Sequence, residues 1–79
     1  MLTFEYCGDR GVEIHANEAG LRYLIAELQK LLEHTKPNSF NHMHLMSPEW
    51  GGNELSAEVQ GEGDPIHHVK VYCWKNIEE

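Results

Sequence analysis

The sequence predicts an α+β fold, a mainly antiparallel five-stranded sheet (ββαβββ) with one amphipathic helix packed on one face. Three observations support this prediction. Two short alternating segments open the chain, one leucine-rich stretch with helical spacing follows, and three more alternating segments complete it. The chain has 79 residues, which is the size of one domain, so residues 1–79 are expected to fold as a single unit.

The first two alternating segments predict an N-terminal hairpin. Residues 2–6 alternate apolar and polar side chains, which is the pattern of a strand with one buried face. Residues 8–11, GDRG, have the glycines of a turn, and Val12 and Ile14 then resume the alternation. We therefore expect a second short strand that pairs with the first.

A single helix is predicted after the hairpin. Asn17 is a favourable N-cap residue, and Glu18 follows in the first turn, where the helix dipole favours a carboxylate. The apolar side chains that share one helical stripe are Leu21, Leu24, Ile25, Leu28, Leu31 and Leu32. Pro37 disfavours helical geometry at the residue before it, so the helix should end near His34. Two to three heptad-like turns are too few for a coiled coil, so we expect this stripe to pack in the core.

Three strands are predicted in the C-terminal half, at residues 41–46, 55–59 and 66–74. Residues 47–53 and 61–65 contain proline and glycine and are the expected connections between them. The helix should cover the face on which the apolar members of these strands lie, namely Met43, Leu45, Leu55, Ala57, Val59, Val69, Val71 and Cys73.

The opposite face of the predicted sheet is unusually rich in histidine and aromatic side chains. A large aromatic patch that no helix covers usually marks a contact surface, and Tyr and Trp concentrate binding energy at interfaces. The sequence therefore predicts a partner-binding surface made of His42, His44, Glu49, Trp50, Glu54, Glu58, His68, Tyr72 and Trp74. For Trp50 we favour a structural role, as a cap on one end of the core with its indole N–H bonded at the rim, over a role as an anchor for the partner.

The histidines of this face also raise the question of a metal site. His42 and His44 point to the same side of a strand, and His68 with a carboxylate such as Glu54 or Glu58 could complete three or four ligands. The sequence has neither an HExxH motif nor a cysteine pair with metal-ligand spacing. We therefore predict no metal and no cofactor.

The sequence shows no catalytic arrangement. Cys7 and Cys73 lie in strand patterns, where a cysteine is usually a small core residue. Ser47 precedes Pro48 and is typical of a turn rather than of a nucleophile, which needs a neighbouring base. Residues 51–52 are glycines, but the motif of a phosphate-binding loop does not follow them. The chain is therefore predicted not to be an enzyme.

The charge balance restricts the class of partner. Thirteen acidic and six basic residues give a formal net charge of −7 with histidine neutral. A surface this negative repels phosphate backbones, which argues against nucleic acid, and would attract a basic protein; the alternative is an acidic surface that serves solubility alone. No apolar run approaches the ~20 residues that cross a bilayer, and no signal-peptide pattern is present. We expect a cytoplasmic protein with reduced cysteines and no membrane contact.

Two segments, residues 42–56 (HMHLMSPEWGGNELS) and 68–74 (HVKVYCW), resemble the immunity protein 32 family of bacterial polymorphic toxin systems. The helix GLRYLIAELQKLLEH, residues 20–34, also has a counterpart in that family in position and length. The resemblance implies a small cytosolic α+β protein that protects the producing cell by binding a cognate toxin domain, which the charge suggests is basic. The alternative function is a small homo-oligomeric, such as homodimeric, or metal-binding protein that uses the same histidine and aromatic face.

Overall fold

The structure, a computed structural model, describes residues 1–75 and has one helix and five strands in that range. In chain order these are β1 (Leu2–Tyr6), β2 (Val12–Ala16), α1 (Glu18–His34), β3 (Ser39–Met46), β4 (Asp64–Pro65) and β5 (His68–Lys75). Single 3₁₀ turns lie at Gly8–Arg10 and Pro48–Trp50. The predicted α+β class, with one helix and antiparallel strands, is confirmed.

The strands lie in two antiparallel sheets rather than in one. The first sheet has the order β2-β1-β4, and the second pairs β3 with β5 along their whole length, from Ser39 opposite Lys75 to Met46 opposite His68. Helix α1 contacts strands of both sheets and joins them through a shared core. The division into two sheets follows from the segment between β3 and β4, which does not form a strand.

The prediction of a fourth strand at residues 55–59 is wrong. The amide groups of Glu54 and Leu55 both donate to the Met46 carbonyl, each at 3.2 Å, and the Ser56 N–H donates to the Leu2 carbonyl at 2.8 Å. These single bonds hold the segment in place without a ladder. The short strand β4 lies instead in the predicted turn, where Pro65 is tolerated because it stands at a sheet edge.

A small aliphatic core lies between α1 and the inner faces of the two sheets. Its buried members are Leu2, Phe4, Leu24, Leu45 and Leu55, and Ala16, Met43, Ile66 and Val69 pack against them. Most of the apolar face predicted from the C-terminal strands is buried or half-buried. Val59 is the exception, because it lies in the loop after Leu55 and is 41% exposed.

The leucine stripe of α1 is only partly buried, which corrects the expectation that it packs in the core. Gly20, Leu24 and Leu31 face the core, and a side chain at Gly20 would collide with the Met1 carbonyl. The predicted N-cap is confirmed, since the Asn17 side chain accepts from the Gly20 N–H at 2.8 Å. The remaining stripe residues form what we call the aliphatic flank, namely Leu21, Ile25, Leu28 and Leu32, which are 41–59% exposed.

The outer face of the β2-β1-β4 sheet is covered by residues 56–63, here called the covering loop. Glu5 on β1 is fully buried under it. One carboxylate oxygen accepts from the Gln60 N–H at 2.7 Å and the Gly61 N–H at 3.1 Å, and the other accepts from the Gly63 N–H at 3.2 Å. These bonds, led by the one from Gln60, hold the pKa of Glu5 below its usual value although burial opposes the shift. The carboxylate therefore fastens the loop to β1.

Candidate functional site

The outer face of the β3-β5 sheet carries the histidine and aromatic side chains that the sequence predicts to share one surface. In the observed register Phe40 stands opposite Trp74, and His42 stands opposite Tyr72. The alternating neighbour Leu45 points the other way, into the core, and is 1% exposed. Because strand residues alternate between the two faces, the rings lie on the side away from α1. The predicted location of this face is therefore confirmed.

Seven rings on this face form one continuous row. The row runs, in spatial order, through Phe40, Trp74, Tyr72, His42, His44, His68 and Trp50. Neighbouring ring centroids are between 4.6 Å, for Phe40 and Trp74, and 6.3 Å, for Trp74 and Tyr72. These spacings are those of stacked and edge-to-face aromatic pairs, so the rings support one another while their outer sides stay open. We call this set the ring row.

Trp50 ends the ring row and does not cap the core. The 3₁₀ turn Pro48–Trp50 places its indole 5.6 Å from the His68 ring and leaves it 58% exposed. Gly51 follows in the left-handed region with φ 86°, a conformation that suits glycine, so the chain reverses directly after the indole. The favoured interpretation of Trp50, as a core cap, is therefore wrong.

Two histidine rings in the middle of the row share a hydrogen bond. His44 Nδ1 lies 2.7 Å from His68 Nε2, which requires that at least one of the two rings is neutral. The pKa of His44 is lowered, first by desolvation and then by the positive charges that His42, His68 and Lys70 can carry. The Lys70 ammonium sits 5.1 Å from the centre of the Tyr72 ring, in cation–π range. The shift favours the neutral form of the His44 ring, and Lys70 places a positive charge at the edge of the row.

The acidic residues assigned to this surface are not all brought to it. Glu49 lies beside Trp50 with its side chain 58% exposed. Glu54 turns inward and accepts from the backbone N–H groups of Met46 and Asn53. The Glu58 carbonyl meets the Thr3 hydroxyl, on the other sheet. The prediction that Glu54 and Glu58 lie on the ring face is wrong, because it assumed a strand at residues 55–59. That these two residues contact a partner stays a prediction.

A serine, a histidine and a glutamate meet next to the ring row. Ser47 Oγ lies 2.7 Å from His67 Nδ1, and a Glu49 carboxylate oxygen lies 3.5 Å from the same nitrogen. In a catalytic triad the acid bonds the ring nitrogen that the nucleophile does not use, so this arrangement is different. Ser47 is also fully buried. The three groups stabilise the turn at Pro48–Trp50. The pKa of Glu49 is lowered first by its own backbone N–H and then by Ser47 and His67, although burial opposes the shift.

The histidines of the ring row are not gathered into a three-ligand site. Within residues 1–75, the one group of three potential metal ligands whose donor atoms lie within 4.8 Å of one another is Glu5, Glu13 and His15, on the other sheet. Sequence reasoning missed this group. The only signal was that Glu5 and Glu13 alternate to the same face, the one away from the core, on neighbouring strands. Because the Glu5 oxygens already accept backbone N–H bonds, the group serves to hold the covering loop.

Comparison with known protein families matches residues 11–71 of the chain to the family Immunity protein 32. Comparisons with curated proteins and with solved structures find no match. In the part of the chain that the structure describes, α1 is too short and too polar to cross a membrane. The matched range includes α1, all of β3 and the first half of β5, and therefore five of the seven rings of the row, while Tyr72 and Trp74 lie beyond it.

Proposed function

Because the chain belongs to the Immunity protein 32 family, we propose that it neutralises a cognate bacterial toxin domain by binding it directly in a stoichiometric complex. The contact surface in this proposal is the ring row together with Glu49 beside it. Inhibition is steric, since the protein covers a functional surface of the toxin and performs no chemistry of its own. The two cysteines are free thiols, which supports the proposed cytoplasmic site of action.

The observation that carries the proposal is the open, pre-arranged ring row. Tyr72 is 44% exposed and Trp74 is 60% exposed, although each stacks on its neighbours. Aromatic side chains supply large contact area and lose little conformational freedom on binding, because their positions are already fixed. A stable complex would bury on the order of 1,200–2,000 Å² in total, and seven rings on one face can form the centre of such an interface.

The charge of the chain supports a basic partner. The net charge is −7, and the carboxylate of Glu49 stands exposed at the Trp50 end of the ring row. Opposite charges at the border of an interface speed association and orient the partner, while the rings supply the buried area. We therefore expect lysine and arginine side chains on the toxin around an apolar or aromatic centre.

The test is co-expression with the toxin-like reading frame that we expect immediately upstream of the gene. Wild-type protein should co-purify with the toxin domain at a one-to-one ratio of the two chains and abolish its activity. Trp74→Ser and Tyr72→Ser should each weaken the complex by roughly 30-fold or more, as expected for central aromatic residues. The matched control is Arg22→Ser on the exposed side of α1, where 75% of the side chain is in solvent.

Two outcomes would contradict the proposed function. One is full affinity for the toxin in both aromatic variants, and the other is a gene that has no toxin-like neighbour. The alternative, self-association through the ring row, predicts an oligomer that Trp74→Ser dissociates. Calorimetry with Zn²⁺ tests the metal-binding alternative, and tight uptake that is lost in His44→Ala would support it.

A further inference from the structure

The aliphatic flank of α1 is a second exposed surface that the proposed function does not use. Leu21, Ile25, Leu28 and Leu32 follow one another at spacings of four, three and four residues, as in the apolar seam of a two-helix coiled coil. The seam is about 16 Å long at about 1.5 Å per residue. Each side chain is about half exposed, with Ile25 at 59%.

The edge strand β2 enlarges this apolar surface. Val12 and Ile14 on β2 are 57% and 52% exposed, and α1 contacts β2. In the described sheet β2 pairs only with β1, so its other edge is free. Together the six side chains expose on the order of several hundred Å² of apolar area, a size that usually marks a contact site on a soluble protein.

The charged side chains next to the flank are engaged within α1, although Glu33 is bonded to a neutral amide and keeps its negative charge. Arg22 Nε lies 3.0 Å from the Glu18 carboxylate, and the Gln29 amide donates to Glu33 at 2.9 Å. The flank itself carries no charge. For a chain of net charge −7, such a surface is where two copies can approach with the least like-charge repulsion. A basic toxin would gain nothing there from charge attraction.

We infer that the occupant of the aliphatic flank is a second copy of this chain, packed helix against helix about a two-fold axis. In an antiparallel pair with the axis between Ile25 and Leu28, Leu21 of each copy meets Leu32 of the other, and Ile25 meets Leu28. A seam this short would not hold two isolated helices together. Helix α1 is already folded against its own sheets, however, so association does not have to supply the free energy of helix nucleation. The contact is isologous and closes on itself.

The exposed apolar area of the flank and β2 is also of the size that a dimer interface needs. A stable interface takes about 800 Å² from each partner, and the flank with its neighbours on β2 supplies much of that apolar area. The folded chain has few fully buried apolar side chains, so added burial would stabilise it substantially. The ring row lies on the opposite side of the β3-β5 sheet from α1, so the dimer leaves it open. Each dimer can therefore bind two partner molecules at once.

The test is sedimentation of the full chain across the micromolar range. Wild-type protein should sediment at twice the 9.1 kDa mass of the chain. The double variant Ile25→Glu/Leu28→Glu should weaken the dimer at least 100-fold and sediment as a monomer with unchanged far-UV circular dichroism. Ala26→Glu, on the solvent side of α1, and Trp74→Ser, in the ring row, are the matched controls and should remain dimeric.

A second measurement uses wild-type protein alone and does not depend on whether the double variant folds. Amide hydrogen exchange in residues 21–32 should slow as the protein concentration rises, while exchange in β3 should not change. Wild-type protein that stays monomeric, a dimer that survives the double variant, or a dimer that Trp74→Ser dissociates would each overturn the inference. Loss of toxin binding in the double variant of a monomeric protein would assign the flank to the toxin instead.

Discussion

The two sheets each turn one face towards α1, but their outer faces differ. The outer face of the β2-β1-β4 sheet carries Thr3 and Glu5, both fully buried beneath the covering loop. The outer face of the β3-β5 sheet carries the ring row, in which Trp74 is 60% exposed. A carboxylate is therefore enclosed by protein, while large rings remain in contact with water, which is the reverse of the usual distribution.

The difference shows which polar and aromatic groups the fold itself requires. Each oxygen of Glu5 accepts backbone N–H groups of the covering loop, so its charge is compensated and it serves the fold. The rings of the row contact mainly one another, and removing one leaves no buried polar group without a partner. The covered face should therefore determine stability, and the open face should determine binding.

The largest effect on stability is expected for Glu5→Gln. The amide group of glutamine cannot accept the N–H bonds that one carboxylate oxygen now accepts, so the donors of the covering loop lose their partner. The melting temperature should fall by roughly 10–20 °C, measured by circular dichroism. Glu13→Gln on the neighbouring strand, where 46% of the side chain is exposed, is the control and should shift it by a few degrees at most. Equal shifts in the two variants would mean that the covering loop does not depend on Glu5.

A smaller loss is expected when wild-type protein is acidified. The pKa of Glu5 is lower in the folded state than its ordinary value of 4.5, so its contribution is complete above pH 4.5 and is lost as the pH falls through the folded pKa. The melting temperature should therefore drop steeply below pH 4.5. Glu5→Gln should flatten that drop, whereas Glu49→Gln should retain most of it. An unchanged pH profile in Glu5→Gln would show that another group controls acid unfolding.

A moderate effect is expected for Gly63→Ala in the covering loop. A Cβ at this position would stand 2.7 Å from Cys7 Sγ and 2.8 Å from the Tyr6 carbonyl oxygen, so the loop must move away from β1. The free energy of unfolding should fall by about 1–3 kcal/mol, measured by urea denaturation. Gly8→Ala is the control, since no atom lies within 4 Å of its Cβ and only its positive φ of 63° is strained. A larger loss in the control would contradict the tight approach at Gly63.

The smallest effect on stability is expected for Trp74→Ala in the ring row. The indole is mostly exposed and stacks on Phe40 at 4.6 Å, a contact worth about 1 kcal/mol or less. Urea denaturation should therefore show little change, although the same substitution should strongly weaken toxin binding. A loss as large as that of Gly63→Ala would show that the open face also supports the fold.

Local patterns in the sequence were sufficient for most of the elements. Alternation predicted β1, β2, β3 and β5, and Asn17 and Pro37 marked the two ends of α1. The segment after Leu55 could not be predicted in this way. Its position depends on bonds between Glu5 and residues 60–63, which are 55 to 58 positions away along the chain. A pattern of neighbouring residues does not contain such a contact, and the alternation at 55–59 suggested a strand instead.

The sequence predicted which residues form the candidate site better than it predicted the order in which their rings contact one another. Alternation placed His42, His44, Tyr72 and Trp74 on one face, and the structure agrees. Phe40 was missed because β3 begins at Ser39, two residues before the predicted start, although Phe40 continues the same alternation. The order of the ring contacts along the row depends on the register in which β3 pairs with β5, and alternation alone does not determine that register.

The location of the tryptophans has a practical consequence. The chain contains two, Trp50 and Trp74, and both indoles lie in the ring row at similar exposure. Tryptophan fluorescence therefore originates from this one surface. Binding of a partner should shift the emission to shorter wavelength without any attached dye. Unfolding should shift the emission wavelength far less, because the indoles are already largely exposed to solvent in the folded protein.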